Sequence, residues 1–587
     1  MNFNKKLAAA VSSAVLLMAG QVALADSTTD IVDALVSKGV LTEEEGKLIS
    51  KGHTSKVEKT PMIKEKDGAF SLSSPNGKNS IQLTGRLHFD GRYNNLDGFG
   101  DESSYPWNRD LDSKSGASNL DIRRARLGVK GRIGGVADYL LQFNLVGSKV
   151  VDEAYIDINK YELAGLKFGI SKVPFGLEQL TSSNNIDFLE RSYADQLSPA
   201  KKLNVQLHGE TTGATYAGGI FQMNDSALSQ KDHNLSTAGR VTANFAEIMG
   251  NKDMIMHVGL AGYNSNYEMN TATSSNTSGD AEVANRGSVF AFTSGGRGLA
   301  NAYRMQIAGA EPGSTGFDNG NSCTNPSSTP GCSLGASVAT TNAGYNVLSP
   351  TTATVHTDRY GLEGILAYNN FKLQGEYSDA SYKATSQGAT GTTLTAYPGS
   401  RTNNSTARAD VETWYAEALW IITGEKYSDA YKKGAFGALK PKNEFTMDTG
   451  TGAGLWELGF RVDRFDVSNT SNTGSDKTRF QGATDGITTN ATSSKNKIDE
   501  CSYTGGGTNT VAGKCNGGAT SYTAGVKWIW NPNMMFKASY TYTDYDNAFY
   551  PIDIGAKGIR SSADLANPGL KKIDHEDLLM IRGQYSF

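Results

Sequence analysis

Hydrophobic and polar positions alternate along much of this chain. From Asp577 to Phe587, Leu579, Ile581, Gly583, Tyr585 and Phe587 fall on one face, and Leu578, Met580, Arg582, Gln584 and Ser586 on the other. A period of two predicts a strand whose outer face meets lipid and whose inner face meets water. The pattern opens at Ile81, with Leu83, Leu87, Phe89 and Tyr93 facing one way and Arg86, His88, Asp90 and Arg92 the other. In Asn119–Ile133 the outward set is Ala125, Leu127, Val129 and Ile133, against Arg124, Arg126, Lys130 and Arg132 inward. Counting Tyr139–Leu145 and segments near 151–160, 164–171, 202–209, 213–223, 236–245, 255–264, 354–368, 371–384, 410–422, 453–468, 520–530, 533–546 and 575–587, sixteen strands are predicted.

A strand in hydrocarbon must pair every backbone N–H and C=O, which a closed barrel achieves. The expected fold is therefore all-β: an antiparallel transmembrane β-barrel of about 16 strands over residues 69–587, an even number as single-chain bacterial barrels have. Connections support it. Short ones (134–136, 209–213, 369–370, 531–532) alternate with long polar ones (94–118, 172–201, 265–353, 385–409, 469–519, 547–574), as inner turns and external loops should. The connection 423–452 breaks the rule, being long where a turn is due.

Composition adds two restrictions. With 66 Gly, 26 Tyr and only 38% hydrophobic residues, the chain after residue 25 has no apolar run long enough for a membrane helix. A formal charge of −4 excludes a broadly basic nucleic-acid binder. Residues 1–25 read as a secretory signal: Lys5 and Lys6, an apolar stretch Leu7–Gly20, and Ala23-Leu24-Ala25 for cleavage after Ala25. Residues 26–68 precede the barrel as a periplasmic segment. Ile31, Val32, Leu35 and Val36 have helical spacing, Thr42 with Glu45 forms a capping box, and Lys51, Lys56, Lys59, Lys64 and Lys66 make a basic tether. A helical hairpin and a plain spacer both fit it. The four cysteines form two local pairs, Cys323 with Cys332 and Cys501 with Cys515, in loop sequence without metal-site spacing. Two loop-stapling disulfides are the expectation for an oxidising compartment, free thiols the alternative.

Several blocks resemble the phosphate-selective porin O and P family of Gram-negative outer membranes: Asp121–Gly131 (DIRRARLGVKG), Leu166–Ser192 (LKFGISKVPFGLEQLTSSNNIDFLERS), Tyr415–Lys426 (YAEALWIITGEK), Leu455–Phe460 (LWELGF), Gly525–Asn533 (GVKWIWNPN) and the closing QYSF. The resemblance spans residue 80 to the end. It implies a sixteen-stranded porin, a homotrimer in outer-membrane lipid, passing small solutes, with the loop Lys172–Lys201 bent into the lumen. One feature departs from the family. Its phosphate-selective members carry an arginine-rich run after the ninth strand, whereas the stretch after Met256–Tyr263 here is rich in Asn, Ser and Thr, with Arg286, Arg297 and Arg304 scattered.

Pore selectivity comes from charged side chains at a constriction. Arg86 and Arg92 beside Arg124, Arg126, Lys130 and Arg132 form the candidate anion path, since clustered cations concentrate anions and arginine binds oxyanions bidentately. Glu363, Glu376, Glu457, Arg461 and Asp463 would oppose them across the pore; Lys149, Lys172 and Lys527 are weaker contributors. The bland alternative is that carboxylates neutralise these arginines, which then brace the wall. In the loop, Pro174 and Gly176 force the chain out of the strand around Phe175. Glu178, Asp187, Glu190 and Arg191 are then constriction candidates, unless the loop is an ordinary charged surface. No nucleophile elbow, phosphate-cradling loop or metal-spaced histidine set occurs among the seven histidines, so neither enzyme, cofactor nor metal site is expected. A barrel plugged by loops 265–353 and 469–519 and serving adhesion is the alternative function.

Overall fold

The computed structural model describes residues 61–95 (apart from Asp67), 118–147, 150–222, 235–270, 288–298, 302–307, 352–388, 403–473, 478–484, 500–503, 515–549 and 572–587, with a few positions between 32 and 48. Among them sixteen strands form the wall. They are β1 (Ser80–Asn94), β2 (Asn119–Ile133), β3 (Ala137–Asn144), β4 (Val151–Tyr161), β5 (Ala164–Lys172), β6 (Lys201–Thr211), β7 (Ala214–Gln222) and β8 (Leu235–Asn244). Then follow β9 (Met254–Asn270), β10 (Thr352–Tyr368), β11 (Phe371–Gly388), β12 (Asn403–Ile421), β13 (Leu455–Thr473), β14 (Gly517–Ile529), β15 (Met534–Phe549) and β16 (Ile573–Ser586). Neighbours in sequence pair, and β16 closes on β1 in a register from Leu578 opposite Asn94 to Ser586 opposite Arg86. The sheet is a closed antiparallel barrel, and each strand lies where alternation predicted it.

Facing follows the pattern too. On β16, Leu579 is 48% exposed and Leu578 1%. Aromatic residues ring the outer face where the short connections lie: Trp456, Trp528 and Trp530 stack in series, and Phe371 stacks on Trp420. Such a girdle suits a membrane–water interface, because an indole pairs an apolar body with a polar N–H.

Contacts divide the chain into two compact units. One gathers Phe70–Gln82 and Gly131–Gly135 with residues up to Lys66. In it Thr42 and Glu45 make the predicted capping box: the Glu45 amide donates to Thr42 Oγ1 at 3.2 Å, and the Thr42 amide donates to Glu45 Oε2 at 2.9 Å. Residues 1–25 and the tether lysines Lys51, Lys56 and Lys59 lie outside the described residues. The other unit holds the remaining wall and everything described below.

Four connections reach into the lumen of that unit. The loop after β5, residues 173–200, carries two short helices, α1 (Leu177–Leu180) and α2 (Tyr193–Leu197). It leaves the strand through Gly176 at φ 75°, where a Cβ would meet Ser198 Oγ at 2.7 Å, so the glycine is required there. Its Phe188 ring lies against Gly459 on β13 and Gly525 on β14, which face each other across the two strands.

At the loop end, pieces of both long loops come in. Ser288–Phe292, Tyr303–Ile307, Thr478–Gly482 and Glu500–Tyr503 form a four-stranded sheet. Its Phe292, Tyr303 and Phe480 pack with Tyr193, Tyr382 and Phe465 in one apolar cluster. At the turn end, the connection 423–452 explains why it broke the length rule. Its first half folds inward as a turn at Tyr427–Asp429 and a hairpin pairing Tyr431–Lys432 with Ala435–Phe436. There Tyr427 and Phe436 pack among Leu177, Phe188 and the wall residues Leu419, Leu455 and Ile529. Its second half crosses to the outer face, where the Phe445 amide donates to the Trp530 carbonyl at 3.0 Å and Trp530 Nε1 donates to the Phe445 carbonyl at 2.8 Å.

Cys515 is disulfide-bonded. The side chain of Cys501, with Cys323 and Cys332, lies outside the described residues.

The Phe188 seat is testable. A Cβ at Gly525 would stand 2.9 Å from the ring. Gly525→Ala is therefore expected to lower stability by about 1–3 kcal/mol, read as a lower temperature for losing the compact form on a denaturing gel. Gly262→Ala, with open space around it, should leave that temperature unchanged.

Candidate pore constriction

The loop 173–200 hangs from the wall by charged pins. Glu190 accepts from Arg123 Nε at 2.8 Å and from Arg582 Nη2 at 2.9 Å. Arg582 also grips Asp90 through two bonds of 2.6 Å and donates to the Leu189 carbonyl at 2.6 Å. Asp187 accepts from Lys372 at 2.7 Å and from Lys527 at 2.9 Å. Lys537 donates to the carbonyls of Ile186 and Phe188. Glu178 accepts from Ser192 Oγ at 2.6 Å and from Arg461 at 3.3 Å, while the amides of Leu177 and Glu178 donate to Glu376 at 2.8 and 2.7 Å. Strands β1, β2, β11 and β13–β16 thus all hold the loop. The segment Lys172–Lys201 bends into the lumen, as the resemblance implied.

These pins split the lumen. The face of β10–β16 is covered by the loop, the four-stranded sheet and the inserted hairpin. Glu363, Glu376, Glu457, Arg461 and Asp463 are buried there. Glu376, Arg461 and Asp463 bond the loop; Glu457 accepts from Tyr427 of the inserted turn, and Glu363 takes Arg240 and His257. They brace the loop, the insertion and the wall, rather than opposing the β1–β2 cations across an open gap.

The face of β1–β6 stays polar and is partly exposed, at Arg126, Glu153, Lys167, Lys201 and His208. Arg126 pairs with Asp152 at 2.9 Å, and Lys201 pairs with Asp152 and with Glu153 at 2.7 Å. Closer to the turn end, Lys167 and His208 meet Asp157 at 3.4 and 2.7 Å. Two departures from strict alternation concentrate charge here. On β4, Asp152 is an extra residue between the pairs Gln142–Glu153 and Phe143–Val151, so two successive acids reach Lys201. On β2, Leu120 and Ile122 are outward, yet so are the alternate positions from Ala125 on. Arg123 and Arg124 between them both turn inward.

Of the predicted anion path, Arg86 donates to Ser183 Oγ at 2.9 Å, and Arg92 to the Arg297 carbonyl at 2.9 Å. Arg124 is 8% exposed, and its Nη1 has no hydrogen-bond partner among the described residues. Arg126 is paired, Lys130 is exposed, and Arg132 lies in the other compact unit, donating to the Gly135 carbonyl. In the loop, Pro174 and Phe175 are buried, and Arg191 braces the fold through the carbonyls of Glu178 and Thr181. Lys172 does the same at Leu180 and Thr181, Lys527 is a pin, and Lys149 and Arg286 lie outside the described residues.

Several charged contributors are not placed by alternation alone, Asp152, Glu153, Arg123 and Arg297 among them. Arg123 shares the parity of the outward Ala125, Leu127 and Val129. Arg297 stands at φ 63° after two glycines, 33% exposed and 3.8 Å from Glu190, delivered by a loop segment with no strand pattern to place it.

Electrostatics of the loop carboxylates differ. Burial raises Glu190, but Arg123, Arg582 and Arg124 outweigh it and hold the group well below the usual carboxylate range. Burial pushes Glu178 up to about 7, with Arg461 opposing and Asp195 adding to the rise.

The model of the family described as phosphate-selective porin O and P matches residues 81–292 and 315–549. Porin O of Pseudomonas aeruginosa is 25% identical over 435 residues, covering 72% of this chain and 81% of that protein. Among solved structures, the trimer form of OmpT from Vibrio cholerae matches with a TM-score of 0.40 at 11% identity, over 87% of this chain and 99% of that one. An anion-selective porin from Comamonas acidovorans matches with a TM-score of 0.36 at 10% identity, over 87% and 100%.

Because the Glu178 pKa is raised on folding, its contribution to stability is fully present below the ordinary value of 4.5 and is lost as pH rises through about 7. Glu178→Gln should match the wild type in thermal stability near pH 4.5 and exceed it at pH 8, by on the order of 2 kcal/mol. A difference that is flat in pH would count against this environment for Glu178.

Proposed function

The chain belongs to the phosphate-selective porin O and P family, and on that premise we propose that it passes small anions along the β1–β6 wall. It is an outer-membrane porin, a non-enzymatic channel. Arg124 carries the anion reading. Its guanidinium is buried beside Arg123, its Nη1 has no hydrogen-bond partner among the described residues, and no ion pair there joins it to a carboxylate as Arg126 is joined to Asp152, so Glu190 acts on it only through space. A cation without a directly paired carboxylate beside a narrow passage attracts anions and repels cations. The arginine-rich run of phosphate-selective members is missing from the sequence, so anion preference is proposed rather than selective phosphate uptake. The rest of the proposal follows the sequence: export with cleavage after Ala25, residues 26–68 and the turn end in the periplasm, disulfides Cys323–Cys332 and Cys501–Cys515, and a homotrimer in outer-membrane lipid.

A second reading, a loop-plugged barrel acting in surface interaction, is favoured by the aromatic cluster and four-stranded sheet at the loop end. The two readings differ in conductance.

In a planar bilayer under a potassium chloride gradient, the zero-current potential should show chloride preference. Arg124→Ala should reduce it and Glu190→Gln, which unmasks Arg123, should increase it. Cation preference would defeat the anion reading, and no conductance would favour the plugged barrel.

A further inference from the structure

The inserted hairpin at the turn end and the constriction loop meet at one carboxylate. Lys372 reaches Asp187 of the loop at 2.7 Å, and its ammonium sits 4.1 Å from the Phe436 ring centroid and 5.1 Å from that of Tyr427, both in the insertion. A second chain runs parallel. The Tyr427 hydroxyl donates to Glu457 at 3.0 Å, Glu457 pairs with Lys527 at 2.7 Å, and Lys527 donates to Asp187 at 2.9 Å. Asp187, Lys372 and Lys527 are all enclosed, and Phe436, Tyr427, Leu439, Ile529 and Met535 line the small remaining space beside them. Cation–π contacts and ion pairs strengthen when desolvated, so these links are strong where they lie.

The loop beyond Asp187 is stiff. Lys537 holds the carbonyls of Ile186 and Phe188, the Arg461 guanidinium lies 4.8 Å from the centroid of the Phe188 ring, and that ring rests on Gly459 and Gly525. Three residues past Asp187 comes Glu190, the carboxylate that pairs Arg123 and Arg582 and lies 3.8 Å from Arg297. A shift at Asp187 therefore reaches the counter-ion of the passage arginines through a segment that cannot absorb it.

We propose that the insertion 427–439 positions the constriction loop through Asp187, and so sets the charge balance of a passage it does not line. Lys372, Lys527 and Asp187 are positioning residues in this device. The turn end and the eyelet act as one coupled element, because each link has two partners and loosening either end releases both. This goes beyond anion preference: it concerns a change in selectivity, whichever ion the wild type prefers, so either reading can fail without the other.

The test uses the full-length protein in planar bilayers, with zero-current potential in a potassium chloride gradient and open-channel current variance as readouts. Phe436→Ala and Tyr427→Phe are compared with Asp187→Asn, alone and combined. Each insertion variant should change the chloride-to-potassium permeability ratio by about twofold or more and raise the variance, and should add little once Asp187 is already Asn. A mere brace would lower thermal stability and leave the zero-current potential in place. Unchanged ratios in both insertion variants, or the same factor with and without Asp187, would overturn the proposal. Tyr427→Phe removes one hydroxyl and keeps the ring, so it carries the test alone if Phe436→Ala does not refold.

Discussion

Hydrocarbon offers no hydrogen bonds, and that single fact governs this molecule. Every strand needs a neighbour on both sides, so the last strand must return to the first, and β16 does so against β1. Closure then fixes the rest. One face of each strand is committed to lipid, all chemistry is confined to the other, and whatever narrows the tube must come from connections. Here four connections do this, three from the loop end and one from the turn end. The charges of the β10–β16 wall are spent holding them, while those of β1–β6 remain beside the passage. Division of labour within one ring of strands follows from where the inserts rest.

The wall was legible in the sequence because its cause is local. A lipid face and a water face impose a period of two on residues close together in the chain, and sixteen segments show it. The constriction loop announced its exit through Pro174 and Gly176, and Asp187 and Glu190, constriction candidates in the sequence, pin it to the wall. What strict alternation hides is a slip in it. Arg123 shares the parity of the outward Ala125 and Leu127, yet Leu120 and Ile122 carry the opposite one. That phase change between two apolar pairs was the available signal for an inward double arginine. The paired acids Asp152 and Glu153 repeat the lesson on β4, where the extra residue depends on the partner strand.

Other features had no sequence signal of the kind that strands give. Whether Glu457 faces water or a tyrosine depends on an insertion 30 residues away in the chain. Arg297 reaches the passage because glycines before it allow a turn and because Arg92 on a distant strand holds its carbonyl. The connection 423–452 stood out only as an anomaly of length. Its Tyr427 and Phe436 are needed inside, and its Phe445 outside, so it had to be long enough to straddle the rim.

Arg582 has a meaning in time as well as in space. It lies on the sixteenth wall strand, made after the fifteen before it, and its bonds reach back 492 residues to Asp90 and 393 to Leu189. Contacts so distant in sequence form late, since the intervening chain must first be ordered. The residue that fastens the eyelet is thus delivered by the strand that seals the wall. An unsealed barrel is an unfastened one, and a finished constriction marks that assembly is complete.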